Sequence, residues 1–277
     1  MARDPYIGSV NLRRPLFLML ASGVFLHAAE LKPETAAAFD RYVKLTEETM
    51  QARSTPQNFL WLDQHPKEKT MVWMSQSFVI PQETLDHGEK IEVPDGSIQH
   101  WLGVTYLELA TLERVRDMLL DYAGYKNFFK QQVIESRLVK REDPRFDASL
   151  RLHKKQITQI VLNVDLSAEY NTLDPKHATI TTRSTRISEA QRSGKKDANE
   201  EELSAENQNG YLWRLNMYWR LEQADVGVFV ELETITLSRA AGALHPGRYL
   251  NGFQSFPQEL TNGFIAGLET AFPAPHK

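Results

Sequence analysis

Arg183 and Arg186 stand three apart in the segment Ala178–Ser188. Thr179, Thr181, Thr182, Ser184, Thr185 and Ser188 leave Ile180 and Ile187 as its only large apolar residues. Strand side chains alternate between faces, so residues three apart in an unbroken strand face opposite sides. One arginine is then expected on the covered face of its sheet, where a charge is costly unless paired. A guanidinium there would bind a carboxylate or phosphate through two parallel hydrogen bonds. The same residues admit two readings. One is an anchor for the polar head of an amphiphilic ligand. The other is a bulge, an early strand end or an internal Glu partner that removes the conflict.

Other chemistry is sparse. His65, His87, His100, His153, His177 and His245 show no paired metal-ligand spacing such as His-Glu-x-x-His. The chain carries no P-loop pattern, no dinucleotide-binding glycine fingerprint and no Gly-x-Ser-x-Gly elbow. The absence of cysteine excludes thiol catalysis, disulfides and lipid attachment through Cys. Glu200-Glu-Glu202 reads as a charge run in a solvated loop. His100, between Gln99 and Trp101, reads as a structural histidine, with general base as the alternative. No catalytic residue, metal site or cofactor is expected. The remaining candidates are apolar: Trp101, Tyr122, Phe129, Trp213 and Trp219 either line a cavity or fill a core.

These residues depend on a sheet and a helix to position them. Trp213, Leu215, Met217, Trp219 and Leu221 alternate with Arg214, Asn216, Tyr218, Arg220 and Glu222. After Gly227, Val228, Val230 and Leu232 alternate with Phe229, Glu231 and Glu233. That period of two marks a hairpin. Pairing Trp219 with Val230 and Met217 with Leu232 keeps apolar with apolar, and sets Tyr218 opposite Glu231 and Asn216 opposite Glu233. The apolar face is expected to meet a helix and the Arg/Glu face to meet water. The helix follows at Ser255-Phe256-Pro257, with an apolar stripe at Leu260, Phe264, Leu268 and Phe272 flanked by Ile265. Gly263 and Gly267 beside it mean either close backbone packing on the sheet or room for a ligand. The expected interior sets Leu150, Leu152, Ile160, Leu162, Trp213, Leu215, Met217 and Trp219 against Leu260, Phe264 and Leu268.

Upstream, Lys32–Arg53 reads as a helix, Phe59–Leu62 as buried, Thr70–Ile80 as a strand and Ile98–Leu107 as another. Thr111 caps a helix, and a short helix covers about Gly124–Lys130. Strands follow near 132–140, 146–154, 159–170 and 178–188, and 191–210 reads as a mobile surface loop. The start of the chain resembles an export signal. Arg3, Arg13 and Arg14 precede the apolar run Pro15–Leu26, which is short for a membrane span, and small residues follow at Ala28-Ala29. Cleavage near Ala29 is expected, with an uncleaved anchor as the competing reading. The chain of 277 residues is 42% hydrophobic and 25% charged, and its net charge of −4 with no basic stripe disfavours nucleic-acid binding.

The order strand, helix pair, antiparallel strands, long helix is an α+β one. From Ile98 to Phe272 the chain resembles the START-like, or polyketide cyclase/Bet v 1-like, helix-grip superfamily. The likeness rests on Thr111-Leu-Glu-Arg-Val115, on Leu120-Asp-Tyr-Ala-Gly-Tyr-Lys-Asn-Phe-Phe129 leading into Val133–Val139, and on Leu212–Trp219 with Gly227–Glu231. It is also similar to exported bacterial members of that group. The resemblance implies a helix-grip fold, a curved antiparallel sheet wrapped around a long C-terminal helix, with a cavity between them for a lipid-like molecule. The chain then divides into a signal peptide (1–29), an N-terminal extension (30–97) and a helix-grip domain (98–277). The expected partner is an apolar or amphiphilic small molecule, with which transient membrane contact is compatible. Binding or carriage outside the cytoplasm, periplasmic or extracellular, leads the readings. A cyclase- or hydrolase-type enzyme using the same cavity, or an interaction module with a filled core, are the alternatives.

Overall fold

The computed structural model describes residues 30–74, 76–86, 88–154, 160–191, 201–240 and 255–275, without the side chains of residues 86, 160 and 191. The expected leader (1–29) and residues 192–200 of the expected loop lie outside them, as do His87 and His245.

Eight antiparallel strands form one curved sheet in the order β1-β4-β10-β9-β8-β7-β6-β5. They are β1 (Phe78–Pro81), β4 (Gly96–Glu108), β5 (Val133–Glu142), β6 (Arg145–Lys154), β7 (Ile160–Asp174), β8 (His177–Gln191), β9 (Arg214–Gln223) and β10 (Gly227–Arg239). β2 (Leu85–Asp86) and β3 (Glu89–Lys90) make a separate small ribbon. The helices are α1 (Pro33–Ala52), α2 (Pro66–Trp73), α3 (Leu112–Leu120), α4 (Tyr125–Phe128) and α5 (Phe256–Ala271). The expected domain boundary falls inside β4, and β1, from the expected extension, continues the sheet beside it.

α5 lies across one face of the sheet, mainly over β4 and β10. It buries Phe256, Leu260, Phe264, Ile265 and Leu268. Gly103 of β4 is the glycine that allows this approach: a Cβ there would come within 2.8 Å of Ile265 Cγ1 and 3.0 Å of Thr261 Cγ2. Gly263 and Gly267 do not face the sheet. Their missing side chains are replaced by Gln132 and by Phe129 with the Phe128 carbonyl, so they are close-packing positions against the α4–β5 segment.

Four expectations need correction. The β9–β10 register differs by two residues: Trp219 faces Leu232, Tyr218 faces Glu233 and Arg220 faces Glu231. A shift of two preserves which side chains share a face, so apolar matching alone did not distinguish the two registers. Thr70–Ile80 is not one strand. Pro66 occupies the first turn of α2, where its missing N–H costs nothing, and the strand is only Phe78–Pro81. The described part of 191–210 is tied down rather than loose, since buried Glu189 accepts hydrogen bonds from Asn209 N and Nδ2 and from Tyr211 N at 2.7–3.0 Å. The fourth correction is the largest. The Arg/Glu face of β9 and β10 does not meet water, because α1 and a 3-10 turn, Trp61–Gln64, cover it.

Candidate functional site

On the α5 face, Tyr122, Phe129, Leu150, Leu152, Leu162, Leu215, Met217, Trp219, Leu260, Phe264 and Leu268 join one buried cluster. The rings pack edge to face: Phe129–Phe264 centroids are 4.6 Å apart, Tyr125–Phe129 4.9 Å and Trp219–Phe264 6.0 Å. Edge-to-face contact of this kind suits the ring quadrupoles. Tyr122 Oη lies 3.3 Å from Thr182 Oγ1, and burial pushes its phenol up to about 12. Tyr125 Oη donates to the Leu119 carbonyl at 2.6 Å. Around these rings the interior is packed.

The other expected site residues are elsewhere, except Ile160, whose side chain lies outside the described set. Trp101 is half-buried near the start of β4, its Nε1 donating to Gln99 Oε1 at 3.3 Å. Trp213 packs with Phe39, Tyr42 and Tyr218 in the cluster on the opposite face. It precedes β9, and the strand alternation that would have turned it inward begins only at Arg214. Ile160 pairs through its backbone with Lys154 and Gln191. Neither Arg183 nor Arg186 points inward. β8 has a register shift where Asp165 faces Arg186 and Leu166 faces Ser184, so Thr185 is an extra residue. That bulge brings both arginines to the outer face. Arg183 pairs with Glu47 of α1 at 2.5 Å, and Arg186 with Glu202 and Asp165.

A cleft of about 440 Å³ opens beside the first half of α5. Leu260, Phe256, Gly263 and Ala266 form its apolar side, and Gln131, Gln132, His153, Lys154, Glu259 and Asn262 its polar side. Leu260 and Phe256 belong to the buried cluster as well, so this cleft abuts the helix–sheet interior. Lys154, though buried, is neutralised by Glu259 at 2.8 Å and hydrogen-bonded to Ser255 at 2.6 Å.

The outer face holds a layer of buried charge that residue spacing did not reveal. Glu231 accepts from Trp61 N and Leu62 N, each at 2.9 Å. Burial pushes its carboxyl up to about 7. Glu233 bridges Arg53 Nη2 at 2.7 Å and His100 Nε2 at 2.9 Å. Burial opposes its charge, but the His100 hydrogen bond and the charges of His100 and Arg53 outweigh that and hold it at about 2. His100 Nδ1 lies 2.8 Å from Tyr42 Oη. Glu233 can only accept, so Nε2–H is the donor of that bond. Arg220 donates to the carbonyls of Phe59 (2.8 Å), Arg53 (3.2 Å) and Met50 (3.3 Å), binding the end of α1. Burial, then the charge of Arg53, pushes its guanidinium down to about 10. His100 is thus buried and engaged through both ring nitrogens. A signal was available: three acidic residues (Glu222, Glu231, Glu233) and two basic ones (Arg214, Arg220) on one strand-pair face, following a segment with its own buried Phe59–Leu62.

No protein-family model matches this chain, and no curated protein matches it. Similar solved structures include the Zhui aromatase/cyclase of Streptomyces sp. R1128, 11% identical over 63% of this chain and 93% of that one, with a TM-score of 0.46. A STAR-related lipid transfer protein from Xanthomonas axonopodis is 15% identical over 66% and 96%, with a TM-score of 0.44. Human STARD10 is 10% identical over 70% of each chain, with a TM-score of 0.41. The fold is a helix grip, a curved antiparallel sheet closed by a C-terminal helix, and that description rests on this protein's own strand order and closing helix.

Proposed function

We propose that this protein binds or carries an apolar or amphiphilic, lipid-like small molecule without transforming it, seated between the sheet and α5. The supporting observation is the cleft beside Leu260 and Gly263. Its volume, about 440 Å³, is within the ~300–1,000 Å³ common for small-molecule sites. It joins an apolar wall continuous with the core to a polar rim, which suits a molecule with a tail and a head. The packing of Trp219, Phe264 and Phe129 favours a second reading, an interaction module whose core is filled. The basic start and short apolar run of residues 1–29 support work outside the cytoplasm after export, with cleavage near Ala29 testable by N-terminal sequencing of the protein from its host.

Native mass spectrometry of the purified protein tests the binding reading. Wild type should carry an apolar adduct, and Ala266→Trp, which narrows the cleft from an exposed position, should lose it. Apo mass alone, with no uptake of a fluorescent fatty acid, would leave the filled-core module.

A further inference from the structure

β6 alternates regularly: Phe146, Ala148, Leu150, Leu152 and Lys154 are buried, and the residues between them only partly so. Lys154 therefore shares the α5 face with apolar residues of the main cluster. It is the inward cation that residue spacing placed in β8. A buried ammonium needs a partner, and Lys154 has Glu259 at 2.8 Å. Glu259 stands in the first turn of α5, where the helix also favours negative charge. The two members of the pair are not equally accessible: the Lys154 side chain is 3% exposed and that of Glu259 39%. Glu259 Oε1 accepts from Lys154 Nζ and, at 2.6 Å, from Ser255 Oγ. Its Oε2 takes no hydrogen bond among the described residues. The pair thus shows the cleft beside α5 its carboxylate end, with one oxygen open.

We infer that Glu259 selects the head group of the ligand proposed for that cleft: the head is an uncharged hydrogen-bond donor, a hydroxyl, and amphiphilic acids are discriminated against. This rests on the reading of the cleft as a small-molecule site. Three observations carry it. First, an open carboxylate oxygen accepts from an O–H and repels a second carboxylate. Second, the cleft offers an acid no open cation among the described residues. Lys154 is buried behind Glu259 and spent on it, and His153 Nε2 is buried. Lys130 is exposed but outside the lining, and Arg151 pairs with Glu135 at 3.4 Å on the other face of β6. Third, Gln131 and Asn262 are exposed on the cleft wall, and their amides both donate and accept without charge, which matches a hydroxyl. A cationic head would be drawn to Oε2 but set beside the Lys154 ammonium. An uncharged donor meets no opposing charge.

Competition native mass spectrometry of the purified protein at neutral pH tests this. Dodecanol is offered in equal amount against dodecanoate, methyl dodecanoate or dodecylamine. Wild type should carry mostly dodecanol in each mixture, by about tenfold over dodecanoate. In Glu259→Gln an amide can donate to an acid beside a Lys154 that has lost its counter-ion, so the preference between alcohol and acid should reverse. Should that variant fail to fold, Lys154→Met combined with Glu259→Gln removes both charges and should bring the alcohol-to-acid ratio to about one. Any competitor bound as well as dodecanol by wild type, or a ratio unchanged in the variants, overturns the inference and leaves the cleft standing as a binding site. Uptake of none of the four, by wild type or variants, removes the reading of the cleft itself and the inference with it.

Discussion

The two faces of the β9–β10 hairpin are both buried, and they are buried by different physics. On the face toward α5, Leu215, Met217, Trp219, Val230 and Leu232 meet apolar side chains from Phe264 and its neighbours. Removing that surface from water stabilises the fold directly, at roughly 25 cal/mol per Å². On the other face, Arg220, Glu231 and Glu233 are equally inaccessible, with 5%, 0% and 5% exposure. There burial is costly, and it is tolerated because backbone groups of residues 50–62 satisfy Arg220 and Glu231, while Arg53 and His100 satisfy Glu233. The first face accepts any shape that fills it. The second demands particular partners at particular atoms, and it specifies where the N-terminal segment sits.

The comparison can be broken from either side. Arg220→Met would take a donor from three carbonyls of the α1–turn segment, of which Met50 O keeps Arg53 N–H and Ser54 Oγ. It should cost about 3–5 kcal/mol, the scale for removing one member of a buried charged network, seen as a lower urea midpoint. Hydrogen exchange in that variant should show α1 opening before the sheet, and uniform exchange would show that the two layers unfold as one. Phe264→Ala, on the apolar face, should cost a similar ~3–5 kcal/mol if the site is packed core. A much smaller loss would mean that the ring faces a cavity, which would strengthen the ligand reading.

Acidity separates the two faces more finely. Glu231 has its folded pKa raised to about 7, so its contribution is complete below the ordinary carboxylate range and is lost as pH rises through 7. Glu233 has its folded pKa lowered to about 2, so its contribution is present above the ordinary range and is lost as pH falls through 2. Stability should therefore fall from a mildly acid maximum in both directions. Glu231→Gln should remove the fall toward pH 7 and keep the acid limb, whatever its effect on overall stability. A melting temperature that rises from pH 5 to pH 8 in wild type would contradict the assignment. The smallest effect is expected from Arg186→Ala. Its side chain is 51% exposed, and exposed ion pairs are worth about 0–1 kcal/mol, so urea unfolding should barely change.

Local pattern determined the elements. The period of two in 214–223 and 227–239, the four-residue stripe from Leu260 to Phe272, the Thr111 cap and the turn at Asp174-Pro175 each reflect interactions within a few residues, and each is legible in the chain. The sheet-plus-closing-helix architecture followed from their order. Tertiary structure decided three further matters. The β9–β10 register differs by two from the one that apolar matching suggests, because both registers keep the same faces. Thr185 became a bulge, because pairing β8 with β7 along its length absorbs one extra residue there and sends both arginines outward. The polar face of the hairpin became buried, because residues far away in the chain, at 50–62, bring the carbonyls and N–H groups that Arg220 and Glu231 need. Alternation states that a strand has two faces. Which of them meets water depends on what the rest of the chain lays over it, and hydrophobicity alone carries no record of a cover that binds through hydrogen bonds.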